Sequence, residues 1–462
     1  SCVTTLRYFL GAEPGKGGPR TPVTMVNESD GLIQRSKSDS RSDENEKQSS
    51  LGQTFFNFTN IFIGLGLLSQ PYALSQGGWI SLFILLKGTV MCHYTAKLVA
   101  KVTGEYLKKR PDGVPSYAEI GRLALGSKGY VLGSMVVLTE LFFGTCISMV
   151  FVWNSVQLLL AQPWAYPYTA IACWSIIVML PTVWIKSFSR MAFIAVMGTA
   201  ASFGVFIVVV VSFALSFSSS HALPSTSFVE PSTISIAYGI YLTSLGGHCA
   251  LPSLYSQLDD DKKHKFGRII TLSFLSLFLL YSAMAIFGYV TFGDATQVII
   301  TSSLAIEPGP IVAKIAAAAV IFASWANLSP FTSVMSDILF DILSKSGTAG
   351  KKSSQDAGNQ SSIPLSPLLL RPALFQASLR SFLFILCFGL ALLTFPFLNL
   401  ILSFSGGIMS MLDSIILPPL FYLSIFSSRL SRWEKAFAYY TIAFGVISSL
   451  FITTSNIIHL IQ

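Results

Sequence analysis

Apolar runs long enough to cross a membrane recur along the chain from about residue 50 to its end. A helix needs about 20 predominantly apolar residues to span the hydrocarbon core of a bilayer. Eleven runs of this kind follow one another, at about 53–76, 79–101, 130–160, 168–186, 191–217, 233–257, 267–293, 310–343, 373–395, 398–427 and 434–458. The pattern predicts an all-α membrane protein with eleven transmembrane helices.

The connections between these runs alternate between basic and non-basic. The non-basic connections contain neither Lys nor Arg and lie at residues 77–78, 162–168, 218–231, 294–309 and 395–399. All but two of the 30 basic residues, Lys87 and Lys314, lie in the N-terminal tail or at the other connections. Basic connections stay on the cytosolic side of a membrane. The alternation therefore predicts a cytosolic N-terminus and, because eleven is odd, a lumenal C-terminus.

The composition excludes most soluble classes of protein. Hydrophobic residues make up 52% of the 462 residues and charged residues only 11%, whereas soluble domains carry about 25% charged residues. The net charge of +8 then reflects orientation and contact with anionic lipid headgroups, and we expect no nucleic-acid partner. The six cysteines show no CxxC or Cys/His spacing, so we expect neither a disulfide framework nor a metal site. No cofactor is expected.

The first 50 residues differ from the rest of the chain. Residues 28–50 consist mostly of Ser, Asp, Glu, Lys, Asn and Gln, and such a stretch cannot bury an apolar core. We expect residues 1–50 to form a disordered cytosolic tail and residues 51–462 to form the transmembrane transporter domain. The chain begins at Ser1 rather than at Met, and we expect an incomplete or processed N-terminus.

Two of the runs carry helix-breaking residues in their interior. The first contains Gly64, Gly66 and Pro71, and the sixth contains Gly246–Gly247 followed by Pro252. Glycine weakens a helix, and proline removes a backbone donor. Non-helical backbone at membrane depth is tolerated only where it is buried in protein or lines a cavity. One interpretation is a binding site at the interruptions; the alternative is that the glycines let neighbouring helices pack closely.

The positions of the interruptions favour a binding site. Runs one and six are corresponding members of two five-helix halves, and matched interruptions indicate the substrate site of an inverted-repeat transporter. Helix N-termini at the interruptions present N–H groups and partial positive charge to a carboxylate. Exposed carbonyl groups beside them suit an ammonium group. A zwitterionic amino acid carries both groups, so the pattern indicates an amino acid as the substrate.

Three ionisable residues within the apolar runs are candidates for proton coupling. Glu140 lies about midway along the third run, His248 follows the second interruption, and Asp413 lies within the tenth run. A charge at the membrane centre costs about 2.5–3.5 kcal/mol on insertion scales, so such groups are retained with a partner or a function. The alternative for each is structural: a carboxylate fixed by neighbouring helices, or a ring that hydrogen-bonds unwound backbone.

The eighth run offers a different coupling ion. Four of its side chains carry oxygen atoms that are able to coordinate sodium in a transporter of this type; they are Asn327, Ser329, Thr332 and Ser333. Because none of the four is a carboxylate, a proton is favoured over sodium.

Five stretches of the chain carry a resemblance to a known family. They are NIFIGLGLLSQPYALSQGGW (60–79), SYAEIGRLALGSKG (116–129), GGHCALPSLY (246–255), GYVTFG (288–293) and LPPLFYL (417–423). With these stretches in this order, the sequence resembles the amino acid/auxin permease superfamily, specifically the vacuolar amino acid transporters of fungi and plants. The resemblance extends over residues 51 to about 435, and the vesicular inhibitory amino acid transporters are similar at a greater distance.

The resemblance implies eleven helices in a leucine-transporter-like 5+5 inverted repeat with helices one and six broken. It also implies proton-coupled movement of amino acids into the vacuole by proton exchange. Carried over by position, recognition of the substrate falls on seven residues around the interruptions: Gly64, Leu65, Gly66, Ser69, Ser244, Gly246 and Gly247. The eighth run departs from the plant pattern at Ser333, Val334 and Met335, which puts an ion site on that helix in doubt.

The predicted function is secondary active transport of amino acids across a vacuolar or lysosome-like membrane by proton antiport. The alternatives are a proton- or sodium-coupled symporter of the plasma membrane, and a membrane receptor that senses amino acids without moving them. An enzyme is not expected, because the chain has five histidines and lacks a Gly-x-Ser-x-Gly pattern. The expected partners are the amino acid, protons and the lipid bilayer, and we expect a monomer.

Overall fold

The computed structural model describes residues 49–160, 168–184, 188–218, 224–305, 310–354 and 372–461. The predicted tail therefore lies outside the described residues, except for Ser49 and Ser50. Within these ranges the chain is helical, and its β-structure is a single isolated bridge between Ser49 and Leu258. The prediction of an all-α protein is confirmed for the described part of the chain.

The helices follow one another along the chain with short connections. They are α1 (Leu51–Phe62), α2 (Leu65–Leu68), α3 (Gln70–Gly77), α4 (Ser81–Lys109), α5 (Tyr117–Leu160), α6 (Tyr168–Met179), α7 (Phe188–Ser218), α8 (Ile234–Leu245), α9 (Leu251–Gln257), α10 (Phe266–Phe292), α11 (Ile300–Ser303), α12 (Pro310–Ser354), α13 (Pro372–Thr394), α14 (Leu398–Phe404), α15 (Leu417–Phe426) and α16 (Arg432–Ile461). A π-helix (Ser405–Ile416) joins α14 to α15.

Local sequence explains several helix ends. Ser50 and Gln53 form a capping box at the start of α1: each side chain accepts a hydrogen bond from the backbone N–H of the other, at 3.0 and 3.3 Å. α4 ends with Lys108 and Lys109 in its last turn, where cations meet the negative end of the helix dipole. α5 bends at Gly126, whose φ of 65° is easily adopted by glycine.

The helices have the length and composition of membrane-spanning segments. Within the described residues, eight helical stretches are long and apolar enough to cross a bilayer, and a shorter apolar helix covers Thr169–Trp184. One stretch, Leu374–Arg429, has 56 residues, nearly three times the roughly 20 residues that a crossing of about 30 Å needs. It contains the 3₁₀ turn Phe395–Phe397 between the predicted ninth and tenth runs. Eleven crossings stay a prediction.

The π-helix is a feature that the hydrophobic pattern does not predict. It covers twelve residues, Ser405–Ile416, whereas π-helical geometry usually lasts a single turn and is frequent at functional sites. Its glycines permit close packing: a Cβ at Gly406 would lie 1.8 Å from the carbonyl oxygen of Gly239 in α8. The segment therefore passes backbone against backbone along α8, and it carries Asp413 into the buried core.

α8 and the segment after it lie at the centre of the helical bundle. α8 packs against α3, α4, α14 and the π-helix, while α12 packs against α5 and α7 on another side. In the most apolar part of Ile234–Gln257, 67% of the residues are buried, whereas in the most apolar part of α16 only 28% are buried. The second predicted interruption is thus largely enclosed by protein, whereas α16 lies at the periphery.

Candidate functional site

The first interruption separates three short helices. α1 ends at Phe62, α2 begins at Leu65 after the non-helical Ile63 and Gly64, and Ser69 separates α2 from α3. Apart from its chain neighbours, a Cβ at Gly64 would meet no atom of the described residues within 4 Å. The described residues therefore leave room for a Cβ beside the backbone at this point.

The second interruption separates α8 from α9. α8 ends at Leu245, Gly246 is extended, and a 3₁₀ turn begins at His248. Gly247 has a φ of 130°, a conformation that a residue with a Cβ rarely adopts. A Cβ at this position would also lie 3.2 Å from the side chain of Ile61. The two interruptions are therefore in contact, although α4 to α7 separate them in the chain.

Gly66, Ser244 and Gln70 join the two interruptions. A Cβ at Gly66 would lie 2.8 Å from Cα of Ser244, so the two segments approach each other at backbone distance. The buried Gln70 side-chain amide donates hydrogen bonds to Gly66 O and to Ser244 Oγ, each at 2.8 Å. Gln70 was not among the predicted residues; a polar side chain inside an interrupted apolar run is the signal that could have identified it.

Tyr281 of α10 ties together the ends of α1 and α8. Its hydroxyl lies 2.6 Å from Phe62 O and 2.9 Å from Ser244 O, and its single hydrogen is shared between the two carbonyls. The last carbonyls of a helix lack partners within it, and a buried one needs a donor. Tyr281 supplies a shared donor to both helix ends, and Phe62 O also accepts from the backbone N–H of Gly64 at 3.0 Å. No sequence signal links it to the interruptions, because the contact depends on how α10 packs.

The other predicted recognition residues lie around the same point. Ser69 and Ser244 are buried, and the hydroxyl of Ser69 has no hydrogen-bond partner among the described residues. Leu65 forms the start of α2. All seven predicted positions thus belong to the two interruptions or to the turns beside them, and their roles in binding stay predictions.

Two of the three predicted proton-coupling residues meet at the second interruption. Carboxyl oxygens of Glu140, from α5, and Asp413, from the π-helix, lie with Cys249 Sγ within 4.8 Å of one another. Asp413 is fully buried and Glu140 half-buried. A Cβ at Gly246 would lie 3.1 Å from Glu140 Oε1 and 2.5 Å from the hydroxyl of Ser410. The acidic pair therefore borders the interruption directly.

Asp413 is held in place from two directions. Ser414 Oγ donates to Asp413 Oδ1 at 2.7 Å, and the buried Tyr117 hydroxyl donates to the Asp413 backbone carbonyl at 2.5 Å. The carbonyl of a residue in a π-helix is displaced from regular α-helical pairing, which makes room for an outside donor. These contacts fix the position of the Asp413 carboxyl beside Glu140.

His248, the third candidate, makes contacts of a structural kind. Its ring is fully buried, and Nε2 lies 2.9 Å from Cys92 O and 3.1 Å from Thr95 Oγ1 of α4. The ring of Phe274 lies 6.2 Å away, centre to centre. These contacts anchor the turn after the second interruption to α4. These contacts favour a structural role for His248 over a role in proton coupling. The expected partner was unwound backbone, whereas the ring bonds the backbone of the regular helix α4.

We expect His248→Ala to destabilise the protein without changing the pH profile of transport. The substitution removes a buried hydrogen bond, which contributes about 0.5–1.5 kcal/mol, and it leaves the space of the fully buried ring empty. Thermal denaturation in detergent and uptake at several pH values measure the two effects. His93→Ala is the matched control, because His93 is a histidine of α4, the helix that His248 contacts, and it bonds the exposed Thr271 instead. A shifted pH optimum in His248→Ala alone would show that His248 takes part in coupling.

One of the four oxygen-bearing residues of α12 bonds its own helix. Thr332 Oγ1 donates to Leu328 O of its own helix at 2.7 Å. Among the described residues, the only grouping of three His, Cys, Asp or Glu side chains suited to a cation is Glu140, Cys249 and Asp413. The preference for a proton over sodium stays a prediction.

Two cavities stand out in the described part of the chain, and neither lies at the interruptions. The larger, about 420 Å³, is apolar and lies between α5, α6 and α12 beside the exposed Trp174, as expected of a face in contact with lipid. The smaller, about 160 Å³, is polar and includes Asn154, Ser302 and Asn399. Asn399 donates to the hydroxyl of Tyr72 on α3 at 3.3 Å, so this cavity adjoins the helix that follows the first interruption.

The fold has counterparts among solved structures of transporters. A Na⁺-coupled sialic acid symporter matches with a TM-score of 0.50 and 13% identity, over 88% of this chain and 89% of the other. A mutant of the manganese transporter from Eremococcus coleocola matches with a TM-score of 0.52 and 12% identity, over 90% of each chain. At this identity the likeness concerns the fold alone: this is a multi-pass helical membrane protein with a transporter fold.

The sequence matches the family described as transmembrane amino acid transporter protein over residues 47–461, and the chain belongs to that family. Amino acid transporter AVT1B of Arabidopsis thaliana is 28% identical over 432 residues, covering 90% of this chain and 72% of the relative. AVT1E of the same plant is 26% identical, covering 90% and 75%. A vesicular inhibitory amino acid transporter of Xenopus tropicalis is 25% identical, covering 88% and 76%. The resemblance found in the sequence is confirmed.

Proposed function

We propose that the chain is a secondary active transporter that binds an amino acid at the two helix interruptions and carries it across a membrane. The observation that carries this proposal is the contact between the interruptions, which Gln70 and Tyr281 join by hydrogen bonds. Membership of a family of amino acid transporters supplies the substrate class. The names of the relatives describe transporters and no enzyme.

The interruptions offer complementary groups to a zwitterion. Space beside Gly64 would give the substrate access to the unwound backbone of the first interruption. The α-carboxylate would bind there, near Gly66 and Ser69. The backbone carbonyls at Gly246 lie on the other segment, and the Glu140 carboxyl of α5 borders them; together they suit the α-ammonium group. The side chain of the substrate would then point away from both segments.

The wider architecture supports transport by alternating access. We propose that residues 51–462 form eleven crossings in a 5+5 inverted repeat, with α1–α3 as helix one and α8–α9 as helix six. The N-terminus is then cytosolic and the C-terminus lumenal, because basic residues lie at alternate connections. The connections 294–309 and 395–399 fall on the lumenal side, and they supply Ser302 and Asn399 of the polar cavity.

We further propose a vacuolar or lysosome-like membrane and coupling by proton antiport. The acidic pair Glu140–Asp413 supports the proton, since a buried carboxyl group can bind and release one. The resemblance to vacuolar transporters supports the membrane, and one relative is named vesicular. In such a membrane, exchange with protons drives the amino acid into the acidic lumen.

Uptake into proteoliposomes tests this function. We expect vesicles with an acidic interior to accumulate at least one of the twenty standard amino acids, with proton efflux, and a protonophore to abolish the accumulation. Protein-free vesicles are the control. Sodium-dependent uptake that ignores the pH gradient would indicate a symporter, and saturable binding without flux would indicate a receptor.

A further inference from the structure

The acidic pair and the proposed substrate site occupy the same place in the fold. Glu140 Oε1 would lie 3.1 Å from a Cβ at Gly246, and the Asp413 carboxyl lies close to the backbone N–H of Gly247. An ammonium group bound to the carbonyls of the second interruption would therefore also contact Glu140. A proton or other cation bound by the pair therefore competes with the substrate's ammonium group for the same oxygen atoms.

One oxygen atom of each carboxyl group in the pair lacks a hydrogen-bond donor in the described part of the chain, and one added proton would supply a donor between them. Glu140 Oε2 and Asp413 Oδ2 receive no hydrogen bond from any described donor, although carboxyl oxygens of the two residues lie within 4.8 Å of each other. Two ionised carboxylates at this distance repel each other strongly in a low-dielectric interior. A proton on one of them converts the repulsion into an O–H···O⁻ hydrogen bond, the strongest class between side chains.

The surroundings of the pair provide no permanent counter-charge. The titratable groups that interact with it are Cys249, Tyr117 of α5 and Cys92 of α4, none of which is a cation. Among the described residues, no Lys or Arg forms an ion pair with either carboxyl. A mobile cation must therefore balance the pair: a proton or the substrate's ammonium group.

We propose that the Glu140–Asp413 pair holds one shared proton in the empty site, and that the substrate's ammonium group displaces this proton when it binds at Glu140. This inference rests on the proposed function and specifies its coupling step. The protonated pair carries one negative charge. On binding, it loses the proton to water and carries two negative charges, one of them facing the ammonium group. Since proton and substrate exclude each other, each return of the carrier exchanges one for the other, which is antiport.

The two carboxyl groups have different parts in this step. Glu140 is half-buried and borders the interruption, so it contacts the substrate. Asp413 is fully buried and held by Ser414 and the π-helix, so it acts as a positioning residue whose charge makes Glu140 retain a proton. Removing Asp413 leaves Glu140 without a neighbouring anion and able to stay ionised in the empty site.

Proton release on binding tests the inference separately from transport. The purified protein in weakly buffered detergent is mixed with the amino acid that the wild type transports best, while a pH dye records protons and a radiolabel records binding. We expect about one proton per bound amino acid for the wild type. Asp413→Asn should bind without releasing a proton. Glu140→Gln should release none and bind at least about tenfold more weakly, because a charge-assisted contact is lost.

Glu119→Gln is the matched control, because Glu119 lies on the same helix and pairs with Arg110 and Arg122 away from the site; it should behave as the wild type. If Glu140→Gln or Asp413→Asn releases as many protons as the wild type, the inference is overturned. It is also overturned if the wild-type protein binds the amino acid and releases no proton. The proposed transport function would survive both results. If the wild type binds no amino acid, the proposed function fails and this inference fails with it. Should Glu140→Gln not fold, Asp413→Asn decides alone.

Discussion

Gly66→Ala is expected to reduce amino acid uptake by at least about tenfold. The added Cβ would lie 2.5 Å from Ser244 Oγ and 2.8 Å from Ser244 Cα, and a backbone atom cannot move aside as a flexible side chain can. Overpacking of this kind costs about 1–3 kcal/mol, and about 1.4 kcal/mol corresponds to a tenfold change. The cost falls on the contact between the two interruptions, so the binding geometry is lost before the fold. Initial rates of uptake into proteoliposomes measure the effect.

Gly389→Ala separates this effect from the general effect of adding a methyl group within a membrane helix. Gly389 lies in α13, and a Cβ there would meet no atom of the described residues within 4 Å. Alanine also favours helix over glycine by about 0.8–1.0 kcal/mol, so we expect wild-type uptake and equal or higher thermal stability. Equal uptake by Gly66→Ala and the wild type would show that close contact between the interruptions is not needed for transport.

Tyr281→Phe is expected to weaken substrate binding by about tenfold or more and to lower thermal stability. The substitution keeps the ring and removes the hydroxyl that joins Phe62 O to Ser244 O. A buried carbonyl left without its donor costs about 1–3 kcal/mol, and Ser244 O is at the end of α8, where the helix offers no replacement. Binding of a radiolabelled amino acid and thermal denaturation measure the two effects.

Tyr289→Phe is the matched control for this substitution. Tyr289 lies two turns further along α10 and bonds Asp294 and the backbone N–H of Ser227, at 2.7 Å each. These contacts hold connections away from the interruptions. We expect Tyr289→Phe to lower stability while leaving substrate affinity unchanged. Equal losses of affinity in the two variants would assign Tyr281 a general packing role instead.

The proposed mechanism and the expected effects of these substitutions depend on one structural fact, which is that the helix interruptions at Gly64–Gly66 and Gly246–Gly247 are in contact. Each interruption alone is compatible with simple close packing of helices, as the sequence allowed. Their contact brings together unwound backbone from two helices, a half-buried carboxyl group and open space beside Gly64. Close packing accounts for Gly66 and Gly406, whose missing Cβ atoms let backbones approach. Close packing does not account for Gly64, where a Cβ would contact no neighbouring atom of the described residues.

Hydrophobic periodicity and charge were enough to determine the class of the protein. The apolar runs predicted helices that the structure contains, and the glycines at 64 and at 246–247 marked where α1 and α8 end. Such features are local, since helix formation and helix breaking depend on residues within a few positions of each other. The same local information placed Glu140, His248 and Asp413 within the apolar runs.

Tertiary structure alone decided how these residues are combined. In the sequence, Glu140, His248 and Asp413 were three candidates of the same kind, but packing sets Glu140 beside Asp413 and turns His248 toward α4. Helix rotation determines which side chains face each other, and rotation is set by neighbours that are distant in the chain. The π-helix that positions Asp413 and the hydroxyl of Tyr281 belong to the same category, because each depends on contacts between helices rather than on local sequence.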